Sequence, residues 1–75
     1  MTATPEMLQQ RELQILRRRQ VEELTGLGRS TIYREISLDR FPKPIKLNPN
    51  GTSVGWLASE IYAWIEARIA DSRVA

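Results

Sequence analysis

Val21-Glu22-Glu23-Leu24-Thr25-Gly26-Leu27-Gly28-Arg29-Ser30-Thr31-Ile32-Tyr33-Arg34 is the stretch on which the fold turns. Two short apolar-periodic segments meet across a glycine-bearing turn, and the second opens on polar and basic side chains. In the first, Val21 and Leu24 stand three apart on one face while Glu22 and Glu23 point away, which predicts a helix over 19–25. Both glutamates are expected in its first turns, complementing the positive end of the helix dipole. Gly26 suits the left-handed residue just past a helix end. Leu27 then plugs the space between the helices, and Gly28 takes the N-cap of the next one, a tolerated choice there. The second helix is predicted over 29–38. Ile32 and Ile36, four apart, form its buried stripe, with Leu38 and Phe41 closing the core at its exit. Arg29, Ser30, Tyr33 and Arg34 occupy the opposite face, with Thr31 on the border. A helix seated on an apolar base with such a first turn facing outward can enter the major groove of DNA.

Phe41-Pro42-Lys43-Pro44 cannot continue that helix, because each proline pushes the residue before it toward extended backbone. A hairpin over 44–56 follows. Ile45 and Leu47 alternate with Lys46, and Val54 and Trp56 alternate with Gly55. Period two predicts the four apolar groups on one face and Lys46 on the other. Asn48-Pro49-Asn50-Gly51 fits a type I turn, with proline second and glycine fourth. Lys43, Lys46, Asn50 and Thr52 would line this wing, placed to meet DNA backbone or an adjacent minor groove. The last helix is predicted over 58–70. Leu57, Ile61, Trp64, Ile65 and Ile69 make its apolar stripe, and Ser59 and Glu60 fall in its first turn. Upstream, Ile15 and Leu16 are an apolar pair expected to anchor a short extended stretch to the core. Arg17 and Arg18 precede the first helix and Arg19 opens it, within reach of phosphates. Residues 1–14 read as a loose lead-in and 71–75 as a frayed tail. The fold class is therefore mainly α with a small β-hairpin, a single-domain winged helix-turn-helix over 15–70.

Composition narrows the function classes. With 75 residues, one domain sits near the lower size limit for a core unaided by disulfides or metals. The chain has no cysteine and no histidine, so disulfides, the usual zinc ligands, a thiolate nucleophile and the commonest general base are all missing. No catalytic site, cofactor, metal or small-molecule ligand is expected. No apolar run approaches the roughly 20 residues of a membrane span, and no signal pattern opens the chain, so a cytoplasmic protein is expected. The formal net charge is only +2, but its placement is uneven. Residues 17–46 hold eight basic side chains against four acidic ones, whereas the flanking segments on either side are net negative. Trp56 and Trp64 fall on buried stripes, which argues for core packing over a stacking platform for single strands. Gly26 and Gly28 do not have the spacing of a phosphate-binding loop.

Leu16-Arg17-Arg18 leading to Val21-Glu22-Glu23-Leu24-Thr25-Gly26-Leu27, then Arg29-Ser30-Thr31-Ile32-Tyr33-Arg34, resembles the AlpA family of small phage- and prophage-type transcriptional regulators. Phe41-Pro42-Lys43-Pro44-Ile45-Lys46-Leu47 and Val54-Gly55-Trp56-Leu57 are similar to that family's wing. Ser59-Glu60-Ile61 with Ala63-Trp64-Ile65 is similar to its last helix. The resemblance implies a winged helix related to the MerR DNA-binding domain and to excisionases. It implies double-stranded DNA as partner, no cofactor, and a role in transcription or prophage excision in a bacterial or phage setting, at the nucleoid. Many such sequences carry serine where this chain has Gly28. General helix-turn-helix proteins also have a small residue where this chain has Glu22.

A sequence-specific regulator of transcription is expected. Its small footprint would call for further copies of itself on adjacent sites. An excisionase-like architectural factor, bending DNA for a recombinase, uses the same scaffold. A protein-interaction adaptor is the alternative from another class. An adaptor would show no DNA binding even at low salt, whereas phosphate neutralisation gives binding that falls steeply as salt rises.

Overall fold

The computed structural model describes residues 13–73, so most of the expected lead-in and the last two residues of the expected tail lie outside the described residues. Helix α1 spans Arg18–Thr25, one residue earlier than the periodicity suggested. Its entry is held by Arg17, whose extended backbone N–H donates to the Gln20 Oε1 at 2.8 Å. Glu22 and Glu23 consequently lie beyond the first turn, and Glu22 instead takes an ion pair from Arg18 at 3.1 Å. Val21 is wholly buried, but Leu24 is 41% exposed and does not share the core with it. At the exit, Gly26 adopts φ 75° and donates to the Glu22 carbonyl at 2.8 Å, a left-handed closure that a side chain would strain. The Thr25 hydroxyl donates to the Val21 carbonyl and accepts from the Leu27 N–H, tying the turn to the helix.

Helix α2 spans Arg29–Ser37 and is anchored by Ile32, which has no exposed surface. Ile36 and Leu27 pack against the core from its margin. Phe41 is buried as expected, whereas Leu38 is 51% exposed. The reason lies in the helix end: Asp39 takes φ 59° and Arg40 N–H donates to the Glu35 carbonyl at 2.9 Å. This reversal points Leu38 outward and brings Phe41 in. Gly28 is the N-cap, with φ −82° and ψ 167°, and a Cβ there would meet nothing within 4 Å. Replacing Gly28 with serine should therefore supply the missing side-chain cap and raise stability by a few tenths of a kcal/mol. A lowered melting temperature for that variant would count against this placement of the cap.

Three strands make one antiparallel sheet in the order β1-β3-β2: β1 is Ile15–Leu16, β2 is Ile45–Lys46 and β3 is Val54–Leu57. The Ile15–Leu16 pair is thus the extended anchor its sequence suggested, and the Gln14 carbonyl accepts from Ala58 N–H at 2.8 Å. The hairpin is closed by Leu47 N–H to Ser53 O at 2.9 Å and by Gly51 N–H to Asn48 O at 3.5 Å. Its register overturns the expected division of faces. Ile45 pairs with Gly55 and Lys46 with Val54, so Lys46, Val54, Trp56 and Leu16 share one face. Ile45 and Leu47 lie on the other, each about two-fifths exposed, beside Gly55 and Ile15. Gly55 allows this approach, since a Cβ there would collide with Ile15 Cγ2 and crowd the Leu16 carbonyl.

Helix α3 spans Ala58–Arg73, three residues past the expected end. Only Ala58 and Ile61 enter the core fully; Trp64 and Ile65 are half-buried, and Ile69 is 46% exposed. The apolar stripe therefore outruns the body it packs on, because β3 and the chain around Phe41 cover only the first turns. Trp64 sits edge-on to Phe41 at 4.8 Å and donates its indole N–H to the Arg40 carbonyl at 2.9 Å. The core comprises Leu16, Val21, Ile32, Phe41, Trp56, Ala58 and Ile61, with at least one residue from every helix. Trp56 is its largest member, fully enclosed, with its indole N–H donated to the Pro42 carbonyl at 2.9 Å. Three helices and a small antiparallel sheet in this order give a winged helix-turn-helix.

Candidate nucleic-acid interface

The inward seating of Ile32 leaves Arg29, Ser30, Tyr33 and Arg34 exposed on α2, with Thr31 half-buried at the border. Tyr33 is not free-standing. Its ring packs on the buried Trp56 at 6.5 Å with a 59° tilt, so the side chain leans toward the wing rather than straight out. On the hairpin, Lys43, Lys46, Asn50 and Thr52 are all exposed. Lys46 lies on the same sheet face as Trp56, beyond the core's edge, and not on the opposite face.

Charge pairing sorts the basic residues into two sets. Arg18 pairs with Glu22, Arg40 with Glu35 at 3.0 Å, and Lys43 with Asp39 at 4.0 Å. Arg17, Arg19, Arg29, Arg34 and Lys46 make no ion pair with any described residue. Arg18 and Lys43 are thus less available to a partner than the sequence implied, though both remain at the surface. Only some of the anticipated site residues come together. Arg17, Arg18, Arg19, Arg29, Tyr33, Thr52 and Val54 line a single groove between the start of α1, one flank of α2 and the wing. Ser30, Thr31, Arg34, Lys43, Lys46 and Asn50 stand outside it. Val54 is the wall residue that the sequence did not reveal, since its position depends on the hairpin register. Among the described residues, no helix is long and apolar enough to cross a membrane. Nor does any group of three or more acidic side chains gather there to hold a metal ion.

The family profile described as "Prophage CP4-57 regulatory protein (AlpA)" matches residues 14–69, which covers the sheet, α1, α2 and most of α3. The chain belongs to the AlpA family. AlpA is a phage regulatory family and not an enzyme family. The chain is also 44% identical over 69 residues to "Uncharacterized protein ORF88" of Enterobacteria phage P4, covering 92% of this chain and 73% of the phage protein. The AlpA match begins one residue before β1 and spans every side chain that lines the groove.

Proposed function

We propose that this AlpA-family protein is a sequence-specific double-stranded DNA-binding regulator of transcription, with α2 docked in the major groove and the hairpin over 44–56 as a wing beside the flanking backbone. The observation that carries the reading is the distribution of unpaired charge. Of the eight basic residues within 17–46, five have no acidic partner among the described residues: Arg29 and Arg34 on α2, Lys46 on the wing, and Arg17 and Arg19 at the start of α1. Three of them, Arg17, Arg19 and Arg29, line one groove, and cations gathered without internal partners are the electrostatic footprint of a polyanion. In this reading Arg34 makes a bidentate contact to guanine and Lys46 meets a phosphate. The protein acts in the bacterial cytoplasm, and several copies on adjacent sites supply affinity that one small footprint lacks.

Selecting bound fragments from a random DNA pool at moderate salt should return a recurring motif; an output without enrichment sinks the reading. Against the recovered site, Arg34→Ala should weaken binding and relax base preference at one position, by about 1–3 kcal/mol of lost discrimination. Lys46→Ala should weaken binding to all sequences alike. Small, equal effects from both variants would mean that the groove contact lies elsewhere.

A further inference from the structure

The groove between α1, α2 and the wing has a composition that the docking of α2 alone does not require. Its lining contains four arginines, a tyrosine and a threonine, and no acidic side chain. Only Arg18 has its charge countered, by Glu22. The walls come from three separate parts of the chain, so the site exists only in the folded protein.

The geometry of α2 separates its exposed residues into two sets. Successive residues of an α-helix turn by about 100°. Taking the buried Ile32 as the inward direction, Ser30 and Arg34 point nearly straight away from the core. Arg29 and Tyr33 fall on the flank toward the wing, and Thr31 and Glu35 on the other flank. Burial agrees: Thr31 and Glu35 are half-covered, while Ser30 and Arg34 are exposed. Tyr33 packs its ring on Trp56 in the groove wall while two-fifths of the residue stays exposed.

We infer that this groove is a phosphate seat: it takes one phosphodiester of the DNA backbone, and Arg29 and Tyr33 read that backbone rather than a base. The inference rests on the DNA-binding reading above and divides its recognition residues. In a helix lying in the major groove, the outermost face meets base edges, while the flanks face the sugar–phosphate walls. Arg29 supplies a charge-assisted donor pair to the phosphate oxygens, and the Tyr33 and Thr52 hydroxyls supply neutral donors from two sides. Arg17 and Arg19 surround the seat with positive charge at the N-terminal end of α1, where the helix dipole adds to it. Base discrimination is left to Ser30 and Arg34.

The test uses the full chain and the duplex selected by the wild-type protein. Arg29→Gln and Tyr33→Phe, with circular dichroism spectra matching the wild type, should each bind every sequence more weakly and return the same consensus from the pool. The Arg29→Gln loss should be roughly tenfold or more, and the slope of log affinity against log salt should shrink by about 0.9. Neutral methylphosphonates placed one at a time along the duplex should reveal one position that weakens the wild type but not Arg29→Gln. Arg29→Lys should recover part of the affinity, since it restores charge without the forked geometry. A changed consensus for Arg29→Gln, or a methylphosphonate profile identical to that of the wild type, overturns the phosphate seat while leaving DNA binding intact. A wild-type protein that binds no duplex at low salt removes the DNA-binding reading itself.

Discussion

Replacing Trp56 with alanine is expected to remove about 3–5 kcal/mol of folding stability. A domain of this length has about 4–11 kcal/mol in total, on the usual scale of stability per residue. Trp56 has no exposed surface, pairs with Leu16 across the sheet, floors the Tyr33 ring and anchors the Pro42 carbonyl. Truncation leaves a cavity that touches all three and strands the carbonyl of Pro42. The surrounding elements are short, which limits the collapse that would otherwise soften the loss. Urea unfolding followed by far-ultraviolet circular dichroism would measure it. Trp56→Phe should retain part of the packing and lose the indole hydrogen bond. The informative control is Ile69→Ala, at a position of the apolar α3 stripe that lies largely in solvent. It should change stability by no more than about 0.5 kcal/mol. Equal losses at Trp56 and Ile69 would mean that α3 packs along its whole length and that the core is misplaced.

The second large effect concerns the partner. If the four unpaired cations that do not read a base, Arg17, Arg19, Arg29 and Lys46, each neutralise one phosphate, the slope of log affinity against log salt approaches about −3.6. Raising salt from about 50 to 200 mM should then weaken binding on the order of 10²–10³-fold. Arg18, Arg40 and Lys43 contribute less because their internal carboxylates already serve as counterions. Fluorescence anisotropy on a labelled duplex across that salt range gives the slope directly. No binding to the duplex even at low salt would instead indicate an adaptor for a protein partner. The exposed apolar side chains Leu24, Leu38, Ile45 and Leu47 are the ones such a partner would cover.

Much of this fold is legible along the chain because its signals are local. Gly26 ends α1 where a left-handed residue is needed, prolines at 42 and 44 forbid further helix, and Asn48-Pro49-Asn50-Gly51 closes the hairpin. Ile32 announces the inward side of α2, and with it the outward side that carries Ser30 and Arg34. The misreadings share one cause. Leu24, Leu38 and Ile69 satisfy the spacing of a buried face, yet each lies where no neighbouring element arrives to cover it. Periodicity reports which side chains could be buried together; it is silent on how far the opposing surface extends. The hairpin shows the same limit in another form. Alternation was visible in both strands, but the pairing of Ile45 with Gly55 decided which alternate set met the core. With a side-chain period of two, a shift of one residue exchanges the faces.

The candidate site divides in the same way. That basic residues gather between 17 and 46 was evident from the chain, as were the identities of all the side chains lining the groove except Val54. Which cations are cancelled internally, and which stand together around one groove, could not be read there. Ion pairs such as Arg40 with Glu35 depend on the reversal at Asp39, and the groove depends on the hairpin returning beside α1.

The amino-acid order alone determined the helix-turn-helix, its terminators and the basic character of its middle third, because propensity, capping and charge act within a few residues. Only the tertiary structure decided the strand register, the true extent of the core and the company kept by Arg29 and Tyr33. Those depend on segments far apart in sequence meeting in space, as Arg17 and Thr52 do across the groove and Gln14 and Ala58 do at the edge of the sheet, and no local signal encodes where a distant surface will end.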